Sequence, residues 1–526
     1  MRVDVYDTTL RDGAQREGIS LGVDDKLVLI RRLDALGAAF VEAGWPGSNP
    51  KDVELFARAR VELTPEHSTL AAFGSTRRAG LLPADDPNLD ALLAAGTPVC
   101  TIFGKSWTLH VDEVLRVARS ENLAMIEDSV AWLRANDRRV IYDAEHFFDG
   151  FAADPDYALA TLRAAARGGA ETIVLCDTNG GRLPHEIEAG VAAARALGVP
   201  LGIHAHDDGG CAVANTVAAV RAGAVQVQGT INGYGERCGN ANLCAVIPNL
   251  ELKLGKRCLR AGALATLVET AAFVAEVANL APDDHQAYVG RSAFAHKGGV
   301  HVAAMRRAPA SYQHIDPALV GNVSRVVVSE LSGRGNVLAK AEEYRVDIAA
   351  GVETKVLGAI KAAEARGFAF EAAEGSVALL LRRQNPGYAP PFRLVDWKLL
   401  ASPAGAEAVL KLRVGDRLVH TAAEGHGPVR ALDAALRKAL APELPRVADI
   451  QLHDYKVRIL DGRLGTAAVT RVLITSGDGL RTWSTVGASA SILEASLQAL
   501  ADGFEYGLVQ DHDGRAAPAH IEEKTA

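Results

Sequence analysis

The first 260 or so residues alternate short apolar runs with amphipathic segments eight times, and this constrains the fold more than any other feature of the chain. The runs that read as strands are 3–7, 40–43, 69–74, 99–103, 139–145, 172–177, 201–206 and 225–232. Between them, segments such as 25–36, 112–135, 156–167, 184–197 and 211–222 carry apolar residues at helical spacing. Eight βα units in about 250 residues predict an α/β fold, a (β/α)8 TIM barrel. The runner-up is a doubly wound open sheet, which wants a phosphate loop after its first strand. Asp7-Thr8-Thr9 stands there instead.

A barrel gathers its functional groups at the C-terminal ends of its strands. Arg11 and Asp12 follow the first strand, and Glu145 ends the fifth. Asp177 and Thr178 close the sixth, and His204 and His206 the seventh. Asn232 ends the eighth and leads into a glycine-rich stretch running to Asn240. Residues two apart on a strand share a face, so the two histidines can share one metal ion. Each group also has an ordinary structural reading. Asp12 can cap a following helix, Arg11 can form a structural ion pair, and Glu145 can be paired. His301, after two glycines, reads as a capping residue or as part of a loop that moves over a site. Tyr312 reads as core or surface.

Other motifs fail on spacing. Gly104-Lys105-Ser106 has Val99 where a phosphate loop needs its first glycine, and Gly233-Tyr234-Gly235 lacks the third glycine of a dinucleotide fingerprint. His185-Glu186 has Ala189 where a zinc-protease motif needs its second histidine.

The net charge of -8 supplies no drive toward nucleic acid. The six cysteines include no Cys-x-x-Cys pair and read as reduced thiols of a cytoplasmic protein. The N-terminus enters a strand without a leader, and no apolar run is long enough to span a membrane.

Beyond the barrel, an Ala-rich helical stretch (261–281) leads to a polar loop at 290–301 and further helices at 337–344 and 353–367. A Pro- and Gly-rich linker covers 385–391. Strand-like runs at 393–400 and 408–414 then precede a helix from Pro428 to Leu440. The pattern repeats with strands from Ile450 and Ala467, a turn at 487–490 and a helix to Leu500, which predicts a duplicated α+β domain. The expected organisation is a catalytic barrel (1–265), a helical connector (266–388), the duplicated domain (389–512) and a polar, frayed tail (513–526).

Four motifs occur in a set order. They are Asp7-Thr8-Thr9-Leu10-Arg11-Asp12-Gly13, Leu175-Cys176-Asp177-Thr178-Asn179-Gly180-Gly181, His204-Ala205-His206-Asp207 and Asn232-Gly233-Tyr234-Gly235-Glu236-Arg237-Cys238-Gly239-Asn240. Together they resemble the acyl-CoA-condensing synthases of the 2-isopropylmalate, homocitrate and citramalate group. The stretches 44–52, 73–78, 103–107 and 143–150 look like the citramalate branch. The resemblance implies one divalent metal (Mg, Mn or Zn) held by Asp12, His204 and His206, with Asn240 as a fourth or outer partner. It implies a reaction of acetyl-CoA with pyruvate and water that yields (R)-citramalate and CoA, at the entry to isoleucine biosynthesis. Arg11 would stabilise oxyanion charge, and Thr178 would hold the 2-oxo acid carboxylate. Glu145 and His301 would be the acid/base groups, with Tyr312 as helper. In this family the His301 and Tyr312 segment comes from the partner subunit, so a homodimer is implied. Asn49, Ser75 and Lys105 are further contact candidates.

Phe73, Phe103 and Tyr142, at the ends of strands three to five, are the expected walls of a pocket too small for a branched 2-oxo acid. The C-terminal domain resembles the family's leucine-binding regulatory domain, which implies feedback inhibition by isoleucine at a dimer interface. Two departures stand out. Asp207 adds a negative charge beside the histidine pair, expected to bear on metal preference or substrate binding. Val302-Ala303 follows His301 where leucine-branch relatives carry Gln-Asp. The rival readings are a sister synthase with a larger pocket, a metal-dependent 3-hydroxyacyl-CoA lyase, and a metal-binding amino-acid sensor.

Overall fold

The computed structural model describes residues 1–510. The expected tail at 513–526 lies outside them.

Eight parallel strands close into a barrel in sequence order: β1 (Asp4–Asp7), β2 (Phe40–Gly44), β3 (Thr69–Ser75), β4 (Val99–Lys105), β5 (Arg139–Glu145), β6 (Thr172–Asp177), β7 (Leu201–Ala205) and β8 (Gln226–Gly229). β8 closes the ring against β1, with Val5 opposite Val227. The helices between them are α1 (Val23–Leu36), α2 (Pro50–Glu62), α3 (Pro87–Ala95), α4 (Arg119–Ala135), α5 (Phe147–Ala153), α6 (Pro155–Gly168), α7 (Pro184–Ala194) and α8 (Ala212–Ala222). Three of them start on one local device, an Asn or Asp cap followed by proline. Asn49, Asp86 and Asp154 accept hydrogen bonds from first-turn backbone N–H groups of α2, α3 and α6. The core lies between strands and helices. Leu33, Leu55, Ile102, Ile126 and Ile203 are fully buried there, each contributing roughly 1.5–3 kcal/mol.

The structure corrects several expected elements. The eighth strand ends at Gly229, because Asn232 adopts a left-handed conformation (φ 64°) and turns the chain. The long helix expected at 112–135 is broken by Arg116 (φ 55°), so a wide turn at His110–Leu115 precedes α4. The 184–197 helix ends in a tighter turn at Arg195–Leu197.

Two compact units divide the chain. The first comprises 1–294 and 315–324; the second comprises 295–314 and 325 onward. The first unit adds α9 (Leu243–Pro248) and α10 (Leu267–Val277) to the barrel. The second begins with β9 (Ala295–His296) and α11 (Gly299–Arg307), so His301 sits on a helix where a loop was expected. It continues through β10 (Arg325–Val326), α12 (Arg334–Glu343), α13 (Val352–Glu364) and α14 (Glu374–Arg383). Two β-β-β-α halves follow. The first is β11 (Phe392–Ser402), β12 (Gly405–Val414), β13 (Arg417–Gly425) and α15 (Pro428–Leu440). The second is β14 (Gln451–Ile459), β15 (Thr470–Gly477), β16 (Thr482–Ser489) and α16 (Ile492–Val509). The duplication is there, and each half carries a third strand, β13 in the first and β16 in the second. The turn expected at 487–490 is the end of β16, and the last helix runs to Val509. α14 is tied to α16 by Arg383, which bonds Glu505 at 2.6 Å and Asp502 at 2.7 Å. Among the described residues no helix is long and apolar enough to cross a membrane.

Candidate active site

The C-terminal mouth of the barrel holds a cavity of about 230 Å³. Its floor is built from the ends of β1, β7 and the loop after β8. Backbone bonds from Arg11 and Gly13 to the Thr8 carbonyl fold the chain after β1 into a tight turn that delivers Asp12. His204 is the penultimate residue of β7 and faces inward. His206 lies one step beyond that strand, in an isolated antiparallel bridge with Asn240. The same bridge carries Asn240 back over the site, helped by Asp207 N–H donating to the Gly239 carbonyl at 2.9 Å. Gly235 is required here, since a Cβ at that position would lie 1.9 Å from Asn240 Oδ1.

Asp12, His204 and His206 are all buried, with ligand atoms within 4.8 Å of one another. Asp12 Oδ2 lies 3.2 Å from His204 Nε2, which lies 3.3 Å from His206 Nε2. Asn240 Nδ2 donates to Asp12 Oδ2 at 2.8 Å, while among the described residues its buried Oδ1 has no hydrogen-bond partner. A carboxylate and two imidazoles nose to nose are a donor set that fits a divalent cation, and the Asn240 amide nitrogen lies beside it, 3.1 Å from His204 Nε2. Burial disfavours a charged Asp12, but Arg11 and the histidines outweigh it and hold the carboxyl below the usual carboxylate range. Burial and the neighbouring His204 push His206 down to about 3, so it is a neutral imidazole ready to ligate.

One wall carries the positive charge. Arg11 Nε donates to Glu42 Oε1 at 2.6 Å, and its guanidinium lies 3.7 Å over the Phe73 ring. Burial opposes that charge, and Glu42 and Asp12 sustain it. Phe73 stacks on Phe103 at 5.5 Å, and Trp45 meets both edge-on. The opposite wall holds Glu145, ion-paired with Lys105, and Thr178, whose Oγ1 accepts the His146 N–H at 2.9 Å.

Arg11, Asp12, Phe73, Phe103, Glu145, Thr178, His204 and His206 all line this cavity. Tyr142 does not. Side chains alternate along a strand, and on β5 Asp143 and Glu145 face the cavity. Tyr142 therefore points outward, fully buried, with its hydroxyl where a Cβ on Gly104 would sit 2.8 Å away. Asn49 is spent on capping α2. Ser75 offers its carbonyl to Asn88 Nδ2 at 2.8 Å. Asp207 turns its carboxylate to the Ala212 N–H at the start of α8, at 2.8 Å, so its charge is used on a helix cap. His301 and Tyr312 belong to the second unit, where their rings stack at 4.3 Å.

The sequence reading missed Glu42, Trp45, Asp143 and Gln228. Glu42 had a signal, a lone carboxylate inside the apolar run 40–43. Gln226 and Gln228, two apart on the last strand, had one as well.

Three family descriptions match the chain: HMGL-like over residues 2–274, homocitrate synthase post-HMGL domain-like over 288–367, and the LeuA allosteric (dimerisation) domain over 371–508. The chain is 54% identical to an (R)-citramalate synthase of Synechocystis sp., over 96% of each chain. It is 52% identical to one of Geobacter sulfurreducens, over 96% of this chain and 97% of that one. Identity falls to 28% with a 2-isopropylmalate synthase of Methanocaldococcus jannaschii, over 96% of this chain and 94% of that one.

Proposed function

The chain belongs to the (R)-citramalate synthase family, and from that premise we propose that its barrel condenses acetyl-CoA with pyruvate. The observation that carries this is the convergence of Asp12, His204, His206 and Arg11 on one cavity walled by stacked aromatics. The acetyl methyl group gives up a proton and forms a carbon–carbon bond to the keto carbon of pyruvate. The keto oxygen takes a proton, and water cleaves the thioester. The products are (R)-citramalate and CoA.

Asp12, His204 and His206 would hold a divalent cation, Mg, Mn or Zn, with Asn240 as a fourth or outer partner. Such a cation supplies Lewis-acid polarisation of the 2-oxo acid. The other residues take roles that follow from their chemistry. Arg11 keeps its charge inside the cavity and stabilises negative charge developing on oxygen. Thr178 Oγ1, held by the His146 N–H that it accepts, can donate its hydroxyl proton to the substrate carboxylate. Glu145, held beside Lys105, is an acid/base group at the cavity wall. We assign His301, with Tyr312 stacked on it, as the second acid/base group, delivered by the partner subunit of a homodimer. The match to a dimerisation domain supports that assignment.

Phe73, Phe103 and Trp45 leave room for the methyl group of pyruvate and oppose an isopropyl group. The C-terminal domain is assigned to feedback control, with isoleucine as the inhibitor. Six free cysteines suit a cytoplasmic setting.

CoA release, followed with a thiol reagent in the presence of Mn²⁺ or Mg²⁺, tests the reading. Pyruvate is expected to support release that EDTA abolishes, with 2-oxoisovalerate and 2-oxoglutarate inactive. Release with one of the larger acids alone would move the chain to a sister reaction, and no release with any would end the proposal.

A further inference from the structure

Behind the cation site lies a hydrogen-bond chain that none of the roles above uses. His204 and Gln228 are paired neighbours on β7 and β8. His204 Nδ1 lies 2.8 Å from Gln228 Oε1, and Gln228 Nε2 donates to Asp143 Oδ1 at 3.1 Å. All three side chains are buried, with relative exposures of 5%, 0% and 3%.

The chemistry of this chain has a direction. A glutamine amide has one end that only donates and one end that only accepts. Gln228 Nε2 donates to Asp143 Oδ1, so its NH2 end is the one turned to that residue. The oxygen end is then committed to His204 Nδ1. An oxygen with no proton can meet that nitrogen favourably only if the nitrogen carries the hydrogen. A ring that ligates a cation is neutral, and with its hydrogen held on Nδ1 the lone pair falls on Nε2, the atom that faces Asp12 and His206. Unpaired histidines favour the opposite arrangement or exchange between the two, and a hydrogen on Nε2 would block ligation.

His206 has no such partner, since among the described residues its buried Nδ1 makes no hydrogen bond. One ligand of the site is therefore held in register and the other is left to adapt.

We propose that Gln228, oriented by Asp143, is a positioning residue that fixes the tautomer and ring orientation of His204 and so presets the site for a divalent cation. This rests on the reading of Asp12, His204 and His206 as a cation site. Partners of this kind change metal affinity about 10–100-fold when removed.

The test compares the wild type with Gln228→Leu and Gln228→Glu. Leucine keeps the bulk and removes the acceptor. Glutamate keeps an acceptor facing His204 and serves as the conservative rescue. Mn²⁺ affinity is measured by competition with a chelator, and the His204 tautomer by ¹⁵N NMR of histidine-labelled, EDTA-treated protein. The expected result is Nδ1–H at His204 in the wild type and in Gln228→Glu. Gln228→Leu is expected to show a mixed or Nε2–H form and a 10–100-fold loss of Mn²⁺ affinity. If Gln228→Leu binds Mn²⁺ like the wild type, or if wild-type His204 carries its proton on Nε2, the proposal is overturned while the cation site stands. If the wild type itself binds no Mn²⁺, the site reading falls and takes the proposal with it. Should Gln228→Leu fail to fold, the wild-type tautomer decides alone.

Discussion

Arg11 is bound to Glu42 at the barrel mouth, Nε to Oε1 at 2.6 Å, with Glu42 fully buried and its second oxygen accepting the Tyr6 hydroxyl at 2.6 Å. Tyr6 in turn meets Thr101 Oγ1 at 2.6 Å. The guanidinium is thus held from behind by a chain anchored in β1, β2 and β4, and from one face by Phe73. Replacing Glu42 by Gln weakens a charge-assisted bond worth about 1.5–3 kcal/mol. The expected outcome is a 10–100-fold lower kcat with a smaller change in KM for pyruvate. Steady-state kinetics on Glu42→Gln check this, and an unchanged kcat would mean that Arg11 needs no such support.

Pocket size is tested at Phe103, whose ring stacks on Phe73 and meets Trp45 at 5.7 Å. Phe103→Ala opens the aromatic wall. The ratio of kcat/KM for 2-oxoisovalerate over pyruvate is expected to rise at least 10-fold, because one or two methylenes of room change discrimination by about 1–3 kcal/mol each.

The proposed sharing of the site between subunits predicts complementation. Asp12→Ala and His301→Ala proteins are each expected to be inactive. Unfolded together and reassociated, they form mixed dimers with one intact site. About a quarter of wild-type activity should return, as expected for random pairing in a two-fold dimer. No recovery from well-formed mixed dimers would place His301 in the same subunit as the metal ligands it serves, or outside catalysis.

A pH effect on stability follows from Asp7. Its carboxylate accepts the Thr9 N–H and hydroxyl, each at 2.9 Å. Thr9 Oγ1 in turn accepts the Ile231 N–H, tying the β1 turn to the end of the barrel. Burial nevertheless pushes Asp7 from its ordinary 3.8 up to about 7. Between those values the unfolded chain is ionised and the folded one is not, so the unfolded state releases protons and stability declines as pH rises. The contribution is whole below about pH 4 and lost above about pH 7, at roughly 1.4 kcal/mol per unit of difference. Asp7→Asn removes this dependence. In EDTA-treated protein its melting temperature relative to wild type should climb between pH 4 and 7 and level off above. A difference that stays flat with pH would show that Asp7 is not the group responsible.

The proposed feedback control predicts that isoleucine lowers turnover and raises the melting temperature of the full chain, because a ligand that binds only the folded state stabilises it. Leucine at the same concentration should do neither. Indifference to both amino acids would remove the regulatory assignment from the C-terminal domain.

The barrel was legible in the sequence because its strands are short, apolar and bounded by helical periodicity, which are local properties. The ends of elements were less so. β8 stops early and the helix before α4 breaks because Asn232 and Arg116 take left-handed conformations that no apolar pattern records. Placement at strand ends and the motif resemblance together named Asp12, His204 and His206. What the sequence lacked was direction across the barrel. Tyr142 and Asp143 are adjacent, and only the register of β5 decides that the carboxylate faces the cavity and the phenol faces the helices.

The sequence by itself determined the eight βα repeats, the duplicated C-terminal pattern and the chemical kinds of group at the mouth, since composition and periodicity act within a few residues. The tertiary structure alone decided which of those groups touch. Glu42 reaches Arg11 across 31 positions of chain, and Gln228 reaches Asp143 across 85. Contacts at that separation are set by closure of the sheet, which puts β2 beside β1 and aims β5 and β8 into one interior. Closure is a property of the whole barrel rather than of any segment.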